Sequence, residues 1–221
     1  MIIQLYTMQS PAEALACVDA GADHVGITPP QGLPGELPTL EAMRDIVDAV
    51  GDRARCVALT VDMDPARIVT MVELVRPSIL HLCPLAERIT PRDVGAIRAR
   101  LPGVPIMTAV SVTGLESVRV ARDYAEVSDY LILDTQAAGI PGIGASGKTH
   151  DWSVSRDIVD SVRVPVILAG GLSAENVRQA IRAVAPWGVD SLTHTNRALD
   201  GGGFCKDLER VAAFVAAARH A

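Results

Sequence analysis

The feature that most constrains this 221-residue chain is an eightfold alternation of short apolar, β-branched runs with longer segments of helical period. The pattern predicts strands at 2–6, 23–27, 55–62, 78–82, 105–110, 129–134, 165–170 and 190–194. The helix candidates are 10–21, 39–51, 64–75, 90–101, 113–127, 153–162, 173–185 and 206–220. Eight such units without a linker predict an α/β fold, a single-domain (β/α)8 TIM barrel over residues 1–221.

A doubly wound open sheet is the alternative architecture. Its common fingerprint, G-x-G-x-x-G directly after the first strand, is absent, because the first strand is followed by TMQSP. The barrel is therefore the preferred prediction.

Composition excludes several classes of partner. Aromatic residues make up 3% of the chain and the formal net charge is −6, which argues against nucleic-acid binding. No apolar run approaches the ~20 residues of a membrane span, and the start lacks the pattern of a secretory signal, so we expect a cytoplasmic protein with no membrane partner. The four cysteines include no C-x-x-C pair, so neither a disulfide framework nor a thiolate zinc site is indicated.

Side-chain alternation along the strands predicts which residues line the barrel. We assign the more apolar face of each strand to the outside, where it packs on helices. On this rule Val57 and Leu59 of the third strand and Leu192 of the eighth point outward, and Ser191 points inward. The side chains predicted to ring the carboxyl-terminal mouth are Tyr6, Thr28, Asp62, Cys83, Asp134 and Thr193.

Asp134 is the first candidate for chemistry. It terminates an aliphatic strand, and a carboxylate at the mouth of a barrel is suited to general acid or base catalysis. Partial desolvation would raise its pKa and favour the acid role. A structural ion pair with Lys148 or an arginine is the alternative.

A glycine pair after the seventh strand is the candidate phosphate site. Gly170 and Gly171 lead into a helix that Ser173 can cap, and the loops after strands seven and eight commonly hold phosphate in such barrels. Thr193 and His194, after strand eight, would complete this cradle. The Gly-rich loop 137–152 is predicted to be a lid over the substrate.

His81 and Cys83 share one face of the fourth strand. Together with Asp134 or His194 they could in principle bind a metal ion, but the spacing gives weak support, and we predict no metal site. A strand histidine is more commonly a hydrogen-bonded core residue. No flavin or nicotinamide motif is present, so we expect no organic cofactor.

At these residues the chain resembles the phosphoribosylanthranilate isomerase family, (β/α)8 enzymes that perform an Amadori rearrangement in tryptophan biosynthesis. The matching segments are GADHVGI (21–27), YLILDT (130–135), GASGKTHDW (144–152), PVILAGGLSAENVRQAI (165–181) and GFCKD (203–207). The resemblance implies that Asp134 is the general acid and that Gly170 and Gly171 bind phosphate. It also makes Gly144, Ser146, Gly147 and His81 candidates for substrate binding.

The chain departs from the family pattern in its first half. Tyr6 stands where the family has its general-base cysteine, and 29–37 holds no arginine to position an anthranilate carboxylate. A phenol, with a reference pKa near ~10, is a poorer base at neutral pH than a thiol. The base is therefore expected to be Tyr6 or Cys83.

The sequence thus predicts an isomerase acting on a phosphorylated sugar or N-glycoside, as a monomer or homodimer. Two alternatives stay open: an inactive phosphosugar-binding barrel with a regulatory role, and a metal-assisted phosphosugar epimerase or aldolase.

Overall fold

The structure is a computed structural model that describes residues 1–29, 38–83, 89–135 and 149–221. Eight parallel strands close into a barrel in which each strand pairs with its neighbours in chain order and β8 pairs with β1. The strands are β1 (Ile2–Leu5), β2 (His24–Ile27), β3 (Arg55–Thr60), β4 (Ile79–Leu82), β5 (Ile106–Ser111), β6 (Tyr130–Asp134), β7 (Val166–Leu168) and β8 (Gly188–Ser191). The predicted (β/α)8 fold is confirmed.

A helix follows each strand. The helices are α1 (Pro11–Asp19), α2 (Leu40–Val50), α3 (Pro65–Val75), α4 (Pro91–Arg100), α5 (Glu116–Ala125), α6 (Trp152–Ser161), α7 (Val177–Val184) and α8 (Leu208–Arg219). Capping side chains set the start of several helices. The Ser10 and Asp64 side chains cap α1 and α3, and both of these helices begin with a proline. Within the described ranges, no helix is long and apolar enough to cross a membrane.

An antiparallel hairpin lies between β8 and α8. It consists of β9 (Asn196–Ala198) and β10 (Phe204–Lys206), and it follows a 3-10 helix at Thr193–Thr195. The prediction that strand eight extends to residue 194 was therefore wrong at its carboxyl end. Polar residues 193–195 form a turn of 3-10 helix because the chain leaves the barrel after Ser191.

Two apolar clusters separate the inside of the barrel from the outside. Strand residues such as Leu5, Val25 and Leu131 pack with the helices, whereas the inner cluster holds Val57 and Ile79 with further side chains. The inner members are Tyr6, Val57, Ile79, Cys83, Met107, Ala109, Ile132, Ile167 and Ala169, with Leu59, Tyr130 and Leu192 packed against them. Both faces of the strands are therefore largely apolar.

This explains two errors in the predicted faces. Val57 and Leu59 of β3 point inward and Ala58 packs outward, the reverse of the expectation. Leu192 packs inside, and the Ser191 hydroxyl instead donates to the carbonyl of Leu172 at 2.8 Å. The more apolar face marks the outside only where the inside is polar, and beside β3 the interior is packed with apolar side chains such as Val57 and Ile79.

Asp62, which the sequence places at the barrel mouth, lies two residues beyond β3 and makes local contacts there. Its Oδ1 accepts hydrogen bonds from the backbone N–H groups of Met63 and Asp64 at 2.7 and 2.9 Å. Its carboxylate also approaches Arg67 at 3.7 Å. These contacts shape the turn before α3.

Candidate active site

Asp134 lies at the carboxyl end of β6, half-buried in the barrel mouth. Its Oδ1 accepts a hydrogen bond from the backbone N–H of Thr135 at 2.6 Å. Burial raises the pKa of Asp134 to about 7, and the Thr135 N–H partly opposes that rise. Near neutral pH the protonated carboxyl is therefore favoured far more than in an exposed aspartate, as a general acid requires. The alternative partner Lys148 lies outside the described residues.

Tyr6 points into the barrel from the end of β1, as predicted. Its hydroxyl lies 2.8 Å from Nδ1 of His81, and its ring occupies the space beside Gly26, where an added Cβ would be 2.1 Å from Tyr6 Cδ1. Burial, with the nearby charge of Asp190, raises the pKa of Tyr6 well above its ordinary value. The phenol is therefore held protonated, which disfavours it as a base.

His81 supports Tyr6 from the fourth strand. Burial lowers the pKa of His81 to about 3, so the imidazole is neutral at physiological pH. Within the described residues its Nε2 has no hydrogen-bond partner, although the atom is buried. Cys83, two residues further, is also buried in the inner cluster with Tyr6. No group of three or more His, Cys, Asp or Glu side chains in the described ranges is placed to hold a metal ion.

Gly170 and Gly171 form a left-handed turn directly after β7. Their φ angles are +82° and +62°, which favour glycine. A Cβ on Gly170 would lie 2.7 Å from Thr135 Oγ1 and 2.9 Å from His150 Nδ1. These two neighbours are themselves joined at 3.0 Å, and His150 Nε2 reaches Ser155 Oγ at 2.7 Å, so a chain of polar contacts packs against the turn.

The second half of the predicted phosphate cradle lies on the loop after β8, the strand that pairs with β7. Thr193 and His194 are exposed in the 3-10 helix after β8. His194 is close enough to Glu175, in the loop after β7, to help lower the pKa of that carboxyl. Ser173 caps a short turn rather than α7 itself, since its Oγ accepts from the N–H of Glu175 at 3.3 Å. Gly144, Ser146 and Gly147, and most of the predicted lid, lie outside the described residues.

Sequence reasoning missed Asp190. This residue lies inside β8 and is buried, and its pKa is raised to about 8 by burial and by the negative charge of Asp134. Asp190 is the first residue of the predicted strand 190–194, and the predicted faces of that strand cover only Ser191, Leu192 and Thr193. The signal was present, because an acidic residue inside the run GVDSL is unusual for a buried strand.

Lys206 was also missed as a site residue. Its buried ammonium donates hydrogen bonds to the carbonyl of Tyr6 and, at 3.0 Å, to Thr195 Oγ1. Burial lowers the pKa of Lys206 to about 8, against the nearby charges of Asp190 and Glu13. The ammonium thus ties the hairpin to the end of β1.

Comparison with known proteins agrees with this geometry. Residues 7–217 match the family described as N-(5'phosphoribosyl)anthranilate (PRA) isomerase. An N-(5'-phosphoribosyl)anthranilate isomerase of Methanocella arvoryzae is 36% identical over 182 residues, 82% of each chain. One from Haloferax volcanii is 38% identical over 212 residues, covering 94% of this chain and 88% of the relative.

A solved phosphoribosylanthranilate isomerase in complex with reduced 1-(o-carboxyphenylamino)-1-deoxyribulose 5-phosphate has the same fold. It superposes with a TM-score of 0.79 at 24% identity, over the whole of both chains. Because the family match spans nearly the whole chain and the relatives exceed 30% identity, this protein belongs to the N-(5'-phosphoribosyl)anthranilate isomerase family, which is a family of enzymes.

Proposed function

We propose that this protein converts N-(5'-phosphoribosyl)anthranilate to 1-(o-carboxyphenylamino)-1-deoxyribulose 5-phosphate, the Amadori isomerisation of tryptophan biosynthesis. The observation that carries the proposal is Asp134, a carboxyl at the barrel mouth whose burial raises its pKa to about 7. Family membership over residues 7–217 supports the same reaction.

Asp134 acts as the general acid in this mechanism. Its proton goes to the furanose ring oxygen while the bond from that oxygen to C1 breaks, and the lone pair of the substrate nitrogen forms an iminium at C1. The carboxyl becomes a carboxylate, and the ring opens. Removal of the C2 proton then gives an enolamine, which tautomerises to the ketone.

The phosphate binds at the Gly170–Gly171 turn in this proposal. Left-handed glycines allow the backbone to approach a ligand closely, and Thr193 and His194 lie on the loop that follows the neighbouring strand β8. Gly144, Ser146 and Gly147 are proposed to contact the substrate from the loop after β6. No arginine is available in 29–37 for the anthranilate carboxylate, so that group must be held differently from the family pattern.

Two experiments test this function. First, the gene should restore growth of a tryptophan auxotroph that lacks this isomerase. Second, purified Asp134→Asn protein should lose about 10²-fold or more in kcat, as expected when a general acid is removed. Asp45→Asn, an exposed aspartate on α2, is the matched control and should retain wild-type turnover.

A folded wild-type protein that binds a phosphorylated substrate analogue but shows no turnover would contradict the proposal. That result would instead favour a phosphosugar-binding barrel without catalysis, in which the protonated phenol of Tyr6 has replaced a catalytic base.

A further inference from the structure

A row of inward side chains runs along the barrel wall from β6, through β7, β8 and β1, to β2. Gln4 of β1 is in register with Asp190 of β8 on one side and with His24 of β2 on the other. Leu133 is in register with Leu168, and Leu168 with Val189. One residue further along each strand, Asp134, Ala169 and Asp190 therefore continue the same row, because residues in register on parallel strands point to the same side.

Ala169 of β7 is the residue of this row that stands between Asp134 and Asp190. Neighbouring strands are ~4.8 Å apart, so the Cα atoms of Asp134 and Asp190 are about 10 Å apart across β7, and both side chains extend into the same space. Ala169 belongs to the inner cluster and contributes a single methyl group. The electrostatic influence of Asp134 on Asp190 agrees with this placement.

Asp190 has the free hydrogen-bonding capacity that a ligand-facing group needs. Within the described residues its Oδ1 and Nε2 of the neighbouring Gln4 are both buried without a well-formed hydrogen bond, although the Gln4 side chain is close enough to favour the Asp190 carboxylate. His24 Nδ1 contacts the Gln4 side-chain oxygen at 3.1 Å, which leaves the Gln4 NH₂ group on the side of Asp190. A buried carboxyl whose Oδ1 has only this weak contact retains the capacity to accept a proton or a hydrogen bond from a ligand.

Charges around Asp190 allow it to hold or release a proton. The ammonium of Lys206 and the amide of Gln4 favour its carboxylate, while burial and the charge of Asp134 favour its neutral form. Because like charges disfavour the ionisation of both carboxyls at once, the pair shares a proton near neutral pH, and the reactive form is the one in which Asp134 carries that proton and Asp190 is a carboxylate. The phenol of Tyr6, which also faces Asp190, is occupied by His81.

We propose that Asp190 is the general base of the isomerisation and that it works opposite Asp134, across Ala169. This assignment rests on the proposed function. In this assignment the base is not Tyr6, whose place on β1 corresponds to the family's basic cysteine. The base is instead a carboxylate on β8, two strands away from the acid on β6.

After ring opening, Asp190 takes the proton from C2, and the C–H electron pair forms the C1–C2 double bond while the iminium pair returns to nitrogen. Asp134, now a carboxylate, and Asp190, now a carboxylic acid, have exchanged protonation states. Proton transfer to C1 and loss of the C2 hydroxyl proton then give the ketone, and no cofactor is consumed.

The test compares variants of the three possible bases by turnover and by chemical rescue. Asp190→Ala should lower kcat by about 10²-fold or more, and added formate should restore part of the rate by acting as a base in the vacated space. With substrate deuterated at C2, this variant should show a larger primary isotope effect than the wild type, because C2 deprotonation becomes slower. Cys83→Ala and Tyr6→Phe should lose less activity and gain nothing from formate.

Each result decides between the two proposals. A wild-type protein without isomerase activity refutes the proposed function itself. An active wild type with Asp190→Ala within about threefold of its rate leaves the function standing and overturns Asp190 as the base. Loss of activity in a folded Asp190→Ala protein without formate rescue and without a larger isotope effect would assign Asp190 a structural role and also overturn the inference.

Discussion

At the scale of single residues, two glycines determine how the site is shaped. Gly26 gives the Tyr6 ring the space that a methyl group would fill, so the pair explains how a tyrosine fits at the end of β1. Gly170 brings the turn after β7 against Thr135 and His150. A substitution at either position acts through one close contact rather than through the fold as a whole.

Replacement of Gly170 by alanine is expected to impair substrate binding. The new Cβ would meet Thr135 Oγ1 at 2.7 Å and His150 Nδ1 at 2.9 Å, which displaces the turn proposed to hold phosphate. We expect KM to rise about tenfold or more, as measured by steady-state kinetics.

Gly103→Ala is the matched control for that variant. Gly103 has nearly the same φ, +85°, but nothing lies within 4 Å of its Cβ position. It should show the cost of the left-handed backbone, about 1 kcal/mol in the free energy of unfolding, with KM unchanged. Equal KM values for the two variants would mean that the Gly170 contact does not shape the site.

At the scale of elements, the β9–β10 hairpin holds the catalytic end of β1 in place. The backbone N–H of Lys206 donates to Glu13 Oε1 at 2.6 Å, and the N–H of Gln9 donates to Glu13 Oε2 at 2.6 Å. The Lys206 ammonium reaches the Tyr6 carbonyl from the same strand. One carboxylate and one ammonium thus connect the hairpin, the start of α1 and the end of β1.

Lys206→Met should weaken this connection. Methionine has a similar length but no donor, so the Tyr6 carbonyl and the Thr195 hydroxyl lose a buried partner. We expect the free energy of unfolding to fall by about 2 kcal/mol, measured by urea denaturation. Arg197→Met, an exposed position on β9, serves as the control. If both variants unfold at the same urea concentration, the ammonium does not stabilise the fold.

At the scale of the whole molecule, the site is costly to the stability of the barrel. Asp134 and Asp190 both have pKa values raised by burial, and His24 and His81 have pKa values lowered by burial, to about 4 and about 3. The carboxyls bind protons more tightly in the folded state than in the unfolded state. The contribution of these two carboxyls to the free energy of unfolding therefore falls as the pH rises. The fall begins at about 4, the pKa of the unfolded state, and ends near the raised pKa values of the folded state.

Asp190→Asn is expected to stabilise the protein at alkaline pH. Since the folded pKa of Asp190 is about 8, the wild type loses about 3 kcal/mol through this group between pH 5 and pH 8, which an asparagine does not. Urea unfolding at both pH values should show the variant gaining on the wild type at pH 8 relative to pH 5. If the difference in free energy of unfolding between variant and wild type is the same at both pH values, then folding does not raise the pKa of Asp190.

The sequence by itself determined the order of the eight βα units and the placement of Asp134 and of the Gly170–Gly171 turn. These are local properties: helical period, strand alternation and helix caps such as Ser10 depend on residues a few positions apart. The resemblance carried by short motifs led to the same family that the comparison of whole chains shows.

Only the tertiary structure decided the inward face of β3, the end of β8 and the pairing of Tyr6 with His81. It alone placed Asp190 in one row with Asp134, through the register of β6, β7 and β8. The physical reason for the error on β3 is that both of its faces are apolar, so the hydrophobic pattern cannot distinguish them. Which carboxyls meet is set by closure of the barrel, which brings together strands far apart in the chain.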